Sequence, residues 1–186
     1  MNILAISDRP AKESIVKLVK QNAIDLICTL GDLEYFDLQE LELITDIPKI
    51  GVYGNHDSGS YFEPLGITNM HLNTFEHQGI KFGGFQGCVR YKENPSAIMC
   101  TQEEATELLK EFPRVDVMLA HCPPYGINDD PTEISHTGFV ALKEYLDQHK
   151  PSYLFHGHTY PAESELTTQY QTTKILYVYG HRIVDL

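Results

Sequence analysis

Tryptophan is missing from this chain of 186 residues, and positive charge is scarce. Fourteen lysines and arginines stand against 26 aspartates and glutamates, a formal net charge of −12 at pH 7. With no basic block anywhere, the surface repels phosphate backbones and anionic membranes at long range, which excludes non-specific binding to nucleic acid. An anionic substrate then needs a concentrated positive centre, and a metal ion is the simplest one for this composition to hold. No apolar run approaches the ~18 residues that span a bilayer, and Met1 to Asp8 stays apolar too briefly for a leader. The four cysteines, Cys28, Cys88, Cys100 and Cys122, form neither a C-x-x-C pair nor a dense cluster, so neither a zinc clip nor a secreted disulfide framework is indicated. They read as reduced thiols, and a soluble cytoplasmic protein is expected. Apolar residues at 42% and charged residues at 22% are ordinary for a globular protein. Wholesale disorder, a collagen repeat and a coiled coil are thereby excluded, and the length fits one domain over residues 1–186.

What is present is an alternation of short apolar runs and helical patterns. Ile3 to Ile6, Ile24 to Leu30, Ile50 to Tyr53, Val115 to Ala120 and Tyr153 to Phe155 read as buried strands. Between them, Ala11 to Lys20, Leu38 to Ile44, Thr101 to Phe112 and Gly138 to His149 read as helices. This rhythm predicts an α/β protein with parallel strands. Thr74 to His77 and Ile80 to Phe85, separated by Gln78-Gly79, predict a hairpin. Lys174 to Tyr179 and Arg182 to Leu186, around Gly180, suggest a second, closing one. The sheet is therefore expected to be mixed, or doubled into two sheets packed face to face between helices. Tyr177 to Tyr179 reads as sheet core or as the edge of a homodimer.

The polar residues that most need explaining follow the predicted strands: Asp8 the first, Asp32 the second, Asn55, His56 and Asp57 the third, His121 the fourth, and His156 and His158 the last. In an open α/β sheet the carboxyl ends of strands converge on one crevice. Taken singly, each residue has a plain structural explanation. Asp8 could cap a helix starting near Pro10, Gly31-Asp32 and Gly54-Asn55 could be turns, and each histidine could be a hydrogen-bonded structural residue. Their recurrence at five strand ends points instead to a site. Aspartate, asparagine and histidine together make an oxygen and nitrogen donor set suited to Mn, Fe, Zn or Co rather than Ca. Metal-assisted hydrolysis is the corresponding reaction class.

In order and spacing, Asp8, Gly31-Asp32, Gly54-Asn55-His56-Asp57, His121 and Gly157-His158-Thr159 resemble the motifs of the calcineurin-like metallophosphoesterases, over nearly the whole chain. The resemblance implies a four-layer α/β/β/α sandwich with mixed sheets and one or two divalent ions that cleave phosphomonoesters or phosphodiesters. It implies that Asp32 bridges two metal positions, that Asn55, His121 and His158 complete the second, and that Asp8 belongs to the first. His56 looks like the histidine that contacts the phosphoryl group and protonates the leaving oxygen, with Asp57 orienting its imidazole.

Two positions depart from the family pattern. The usual Asp-x-His is here Asp8-Arg9-Pro10, and the usual Gly-His-x-His is Gly157-His158-Thr159-Tyr160. Both imidazoles of the first metal position are thus replaced. Three readings follow. One ion could bind at the second position, with Arg9 pairing with Asp8 or gripping a small phosphoester substrate. A weaker first ion could persist on Asp8, Asp32, water and Tyr160. Or catalysis could be lost, leaving an interaction scaffold of the same fold. His156 is a candidate to support a ligand, and Tyr125, Asn128, Asp129 and His136 are candidates for the substrate mouth.

Overall fold

The structure is a computed structural model describing residues 1–186. The first half of the chain alternates β1 (Asn2–Ser7), α1 (Ile15–Asn22), β2 (Leu26–Thr29), α2 (Tyr35–Leu38), β3 (Lys49–Gly51), α3 (Phe62–Leu65) and β4 (Thr68–Asn69). Four of these strands pair in parallel, as short apolar runs separated by crossovers should. Next come β5 (Thr74–His77), β6 (Ile80–Phe85), β7 (Cys88–Val89), β8 (Met99–Cys100), α4 (Gln102–Leu109) and β9 (Val117–Ala120). The chain closes with α5 (Val140–His149), β10 (Tyr153–His156), β11 (Gln169–Tyr170), β12 (Thr173–Tyr177) and β13 (Gly180–Asp185). One sheet runs β13-β1-β2-β3-β4, a second β11-β12-β10-β9-β6-β5, and β7 pairs with β8 apart from both.

Strand periodicity divides the core into three apolar interfaces, hence four layers. Along β1, Ile3 and Ala5 face the second sheet, while Leu4 and Ile6 face Ile15, Leu18, Leu41 and Phe62 on the helical side. Along β9, Val117 and Leu119 face the first sheet, and Met118 and Ala120 face α4 and α5 through Leu109 and Leu142. The order is helix, sheet, sheet, helix, the α/β/β/α sandwich expected above. No helix is long and apolar enough to cross a membrane.

Local chemistry explains where the elements begin. Thr101 and Glu104 form a reciprocal capping box that starts α4. The β5–β6 hairpin turns through Gln78-Gly79 with both residues at positive φ, 49° and 77°. Three expectations are corrected. α1 starts at Ile15, not near Pro10, because Ser14 caps it by accepting from the Lys17 amide; Asp8 is therefore not its cap. Leu38 to Ile44 is not one helix: α2 ends at Leu38 and a 3-10 turn covers Gln39–Leu43. The tail does not close on itself as a hairpin. β12 joins β10 in the second sheet, while β13 covers the open edge of β1 in the first, with Val178 buried in the core between the sheets. Pairing β1 satisfies six residues of backbone that would otherwise be an exposed edge.

Phe82 is fully buried between the sheets. Phe82→Ala is expected to lower unfolding free energy by about 3–5 kcal/mol in a denaturant titration; a loss below about 1 kcal/mol would contradict this packing.

Candidate metal centre

The loops after β1, β2, β3, β9 and β10 meet at one edge of the sandwich, and the backbone is bent hard to get there. Asp8, Asp32 and His158 all sit in the left-handed region, at φ 60°, 52° and 69°. For residues with a Cβ that conformation is costly, and it concentrates at functional sites. The motif glycines allow close approach: a Cβ on Gly54 would collide with the Asp32 carboxylate, and one on Gly157 with Asp8 and Ser7.

At the centre, ligand atoms of Asp32, His121 and His158 lie within 4.8 Å of one another. Buried His121 places Nδ1 2.7 Å from the Leu30 carbonyl, which can only accept, so Nδ1 carries hydrogen and Nε2 points inward. Similarly, His158 Nε2 donates to the Ser135 carbonyl at 2.8 Å, leaving Nδ1 inward, 3.1 Å from His121 Nε2. Asn55 Oδ1 is 3.1 Å and Asp32 Oδ2 3.5 Å from the same His121 nitrogen. Two imidazole nitrogens, a carboxylate and an amide oxygen thus converge with no positive side chain among them. Such a cluster needs a proton or a cation at its middle, and backbone carbonyls orienting ligand imidazoles are the usual support of a metal.

The titration behaviour follows from this crowding. Burial alone lowers the His121 pKa, but the Asp32 carboxylate overrides it and raises it to about 9. Burial would raise Asp32, yet His121 holds it well below the usual carboxylate range. His158 drops to about 3 through burial and the neighbouring His121. Where no cation fills the cluster, these shifts favour a proton on His121, whose Nε2 faces Asn55, His158 and Asp32. The donors fit a divalent ion of the Mn, Fe, Zn or Co type, with Asp32, Asn55, His121 and His158 as the residues to hold it.

The other expected residues are placed differently. Asp8 lies beside the cluster, but its carboxylate accepts from the His158 amide at 3.1 Å and the Ser7 hydroxyl at 2.6 Å, and burial raises its pKa. Asp57 does not orient the His56 imidazole. Its oxygens accept from the amides of Asp32, Leu33 and Gly54 at 3.1, 2.9 and 2.6 Å, stapling the two ligand loops together. His56 is exposed; its amide donates to Asp32 Oδ1 at 2.9 Å. Arg9 makes no ion pair with Asp8; its Nε donates to the Tyr179 hydroxyl at 2.8 Å. Tyr160, 63% exposed, packs edge-on against Tyr179 and His136. His156 sits outside the donor set, bonded to the Asn128 amide at 2.9 Å, and burial lowers its pKa to about 4. Asn128 ties that loop down through Thr159 and Thr167, Asp129 accepts from the Gly126 and Gly138 amides, and Tyr125 is exposed. Leu30 and Ser135 were not indicated by sequence, because their contribution is a backbone carbonyl that any residue supplies; the Ser7 hydroxyl next to Asp8 carried no motif either.

Comparison with known proteins is consistent with this arrangement. The calcineurin-like phosphoesterase family matches residues 1–162. One solved structure covers 94% of this chain and 89% of its own, at 14% identity and a TM-score of 0.65. TT1561 of Thermus thermophilus aligns at 19% identity and TM-score 0.57, covering 84% of this chain and 80% of that one. AQ665 of Aquifex aeolicus, described as a protein of unknown function, aligns at 14% identity and TM-score 0.50 over 98% and 95%. At these identities the likeness is one of fold. No curated protein matches the sequence.

Because the ion must displace the proton held at His121, binding of Mn or Zn at pH 7.5 is expected to release roughly one proton and to weaken as pH falls. Calorimetric titration in buffers of different ionisation enthalpy measures this; a binding heat independent of the buffer would contradict the protonated cluster.

Proposed function

Because the chain belongs to the calcineurin-like phosphoesterase family, we propose that it hydrolyses a small phosphoester, as a phosphodiesterase or phosphatase, with one divalent ion held by Asp32, Asn55, His121 and His158. The observation that carries this reading is the pair of imidazoles whose outer nitrogens are tied to backbone carbonyls and whose inner nitrogens face Asp32 and Asn55. Asp8, with its carboxylate engaged by an amide and a hydroxyl, and with Arg9 and Tyr160 where the family has histidines, contributes no comparable cluster. When bound, a divalent ion supplies the positive charge that polarises a phosphoryl oxygen and acidifies water.

The chain's own groups then divide the work. Asp32 would be one of the residues holding the ion, and its Oδ1 accepts from the His56 amide, so metal-binding residue and proton donor are held at a fixed relation. His56, free at the rim, gives a proton to the leaving oxygen; histidine is the side chain best suited to that near neutrality. Arg9 and Tyr160 border the crevice where anionic oxygens of the substrate need partners, and a guanidinium grips phosphate through two parallel hydrogen bonds. Against a net charge of −12, that local positive charge is what admits the substrate.

The replaced first-site histidines favour one competing reading, a scaffold of the same fold that binds a partner and turns nothing over. The discriminating experiment uses an alkyl phosphoester, whose alkoxide leaves only if protonated. His56→Ala is expected to lower its turnover about 10²–10⁴-fold with metal content unchanged, and to cost less with a p-nitrophenyl ester, whose leaving group needs no proton. Equal turnover by wild type and variant would remove His56 from the mechanism; no turnover by the wild type with any of the four metals would favour the scaffold.

A further inference from the structure

On the His56 side of the metal centre lies a cavity of about 420 Å³, within the size range of small-ligand sites. Tyr35, Phe36, His56, Ser58, Ser60 and Tyr61 line it. Phe36 is 72% exposed at its mouth, an aromatic ring that packs only edge-on against Tyr35, with centroids 5.6 Å apart. Tyr61 is the opposite case. It is 4% exposed and wedged edge-on against Tyr53 and Phe62, yet its buried hydroxyl has no hydrogen-bond partner. The Ser58 and Ser60 hydroxyls lie 2.9 Å apart and add polar groups along one edge.

We propose that this cavity is the leaving-group subsite, and that it selects phosphoesters whose leaving alcohol carries a planar ring of nucleobase size. The inference rests on the phosphoester reading above. His56 is shared by the crevice and the cavity, so an oxygen that it protonates carries its substituent into the space between Phe36 and Tyr61. Aromatic walls favour a planar ring by stacked or edge-on packing, and the serine hydroxyls match a ring edge that carries hydrogen-bonding atoms. A second cavity, of about 580 Å³, has Tyr160 and His136 in its wall together with three carboxylates, Asp129, Asp130 and Glu165, against Glu34 and Asp57 in the first, but His56 does not line it, so an oxygen protonated by His56 is not directed there. In the reaction, water's oxygen bonds to phosphorus, the bond from phosphorus to the ring-bearing alcohol breaks, and the His56 proton passes to that alcohol's oxygen. The proton that water loses restores His56.

The missing tryptophan makes the test direct, since Phe36→Trp installs a unique fluorophore at the mouth. Adenosine, the leaving half of adenosine monophosphate, is titrated into the ion-free variant, and glycerol serves as control. Saturable quenching by adenosine alone is expected. The wild-type chain is tested in parallel by saturation-transfer NMR, where the adenine protons should receive magnetisation. In the metal-loaded enzyme, Phe36→Ala should reduce the ratio of kcat/KM for adenosine monophosphate over glycerol 2-phosphate by about 3–10-fold. Absence of both quenching and saturation transfer would overturn the proposal, as would an unchanged ratio. Adenosine binding without turnover of any phosphoester would overturn the leaving-group role through the hydrolase reading beneath it, while preserving the ring-binding cavity.

Discussion

Two imidazole nitrogens that both lack hydrogen repel each other at 3.1 Å unless something positive lies between them, and the structure around His121 and His158 is arranged to keep them facing. The carbonyls of Leu30 and Ser135 occupy the outer nitrogens, so neither ring can relieve the crowding by turning its N–H inward without losing a buried hydrogen bond. Asp32 and Asn55 add oxygen donors to the same point. Where no cation fills the cluster, the Asp32 carboxylate favours a proton on His121, raising its pKa although burial acts against it. A divalent cation answers the same crowding with more charge and more ligands.

The rest of the fold can be understood as the support for that cluster. Parallel strands place their carboxyl ends on one side, and the sandwich brings donor side chains from both sheets together, Asp32 and Asn55 from the first and His121 and His158 from the second. The three interfaces of the core hold the two sheets in register, while Asp57 binds amides from two separate loops and keeps the Asp32 turn against the Asn55 turn. Left-handed backbone at Asp8, Asp32 and His158 is energy stored at the site and balanced by packing elsewhere. Arg9 and Tyr160 are oriented by Tyr179, which lies in the short passage from β12 to β13, so the crossing of the tail between sheets also shapes the crevice.

Much of this was readable from residues alone. Buried parallel strands leave continuous apolar runs, so β1, β2, β3, β9 and β10 and the ligands at their ends could be located by pattern, and Gln78-Gly79 marked its hairpin. Other features depend on tertiary context. Lys174 to Tyr179 and Arg182 to Leu186 have the pattern of a hairpin, yet nothing local says that β1 offers a free edge in the other sheet. Asp57 stands next to His56 in sequence, but its carboxylate turns to the amides of Asp32, Leu33 and Gly54. Two-residue strands such as β4, β7 and β11 are too short for periodicity to register. The carbonyls that fix the histidine tautomers leave no mark in the sequence at all.

The most direct test of the account is the metal content of the purified chain after loading with Mn or Zn and removal of excess ion, compared with the same measurement on His121→Ala. The account predicts one ion per wild-type chain and its loss in the variant. Two ions per chain, or one ion retained when His121 is gone, would contradict a single centre built on the facing imidazoles.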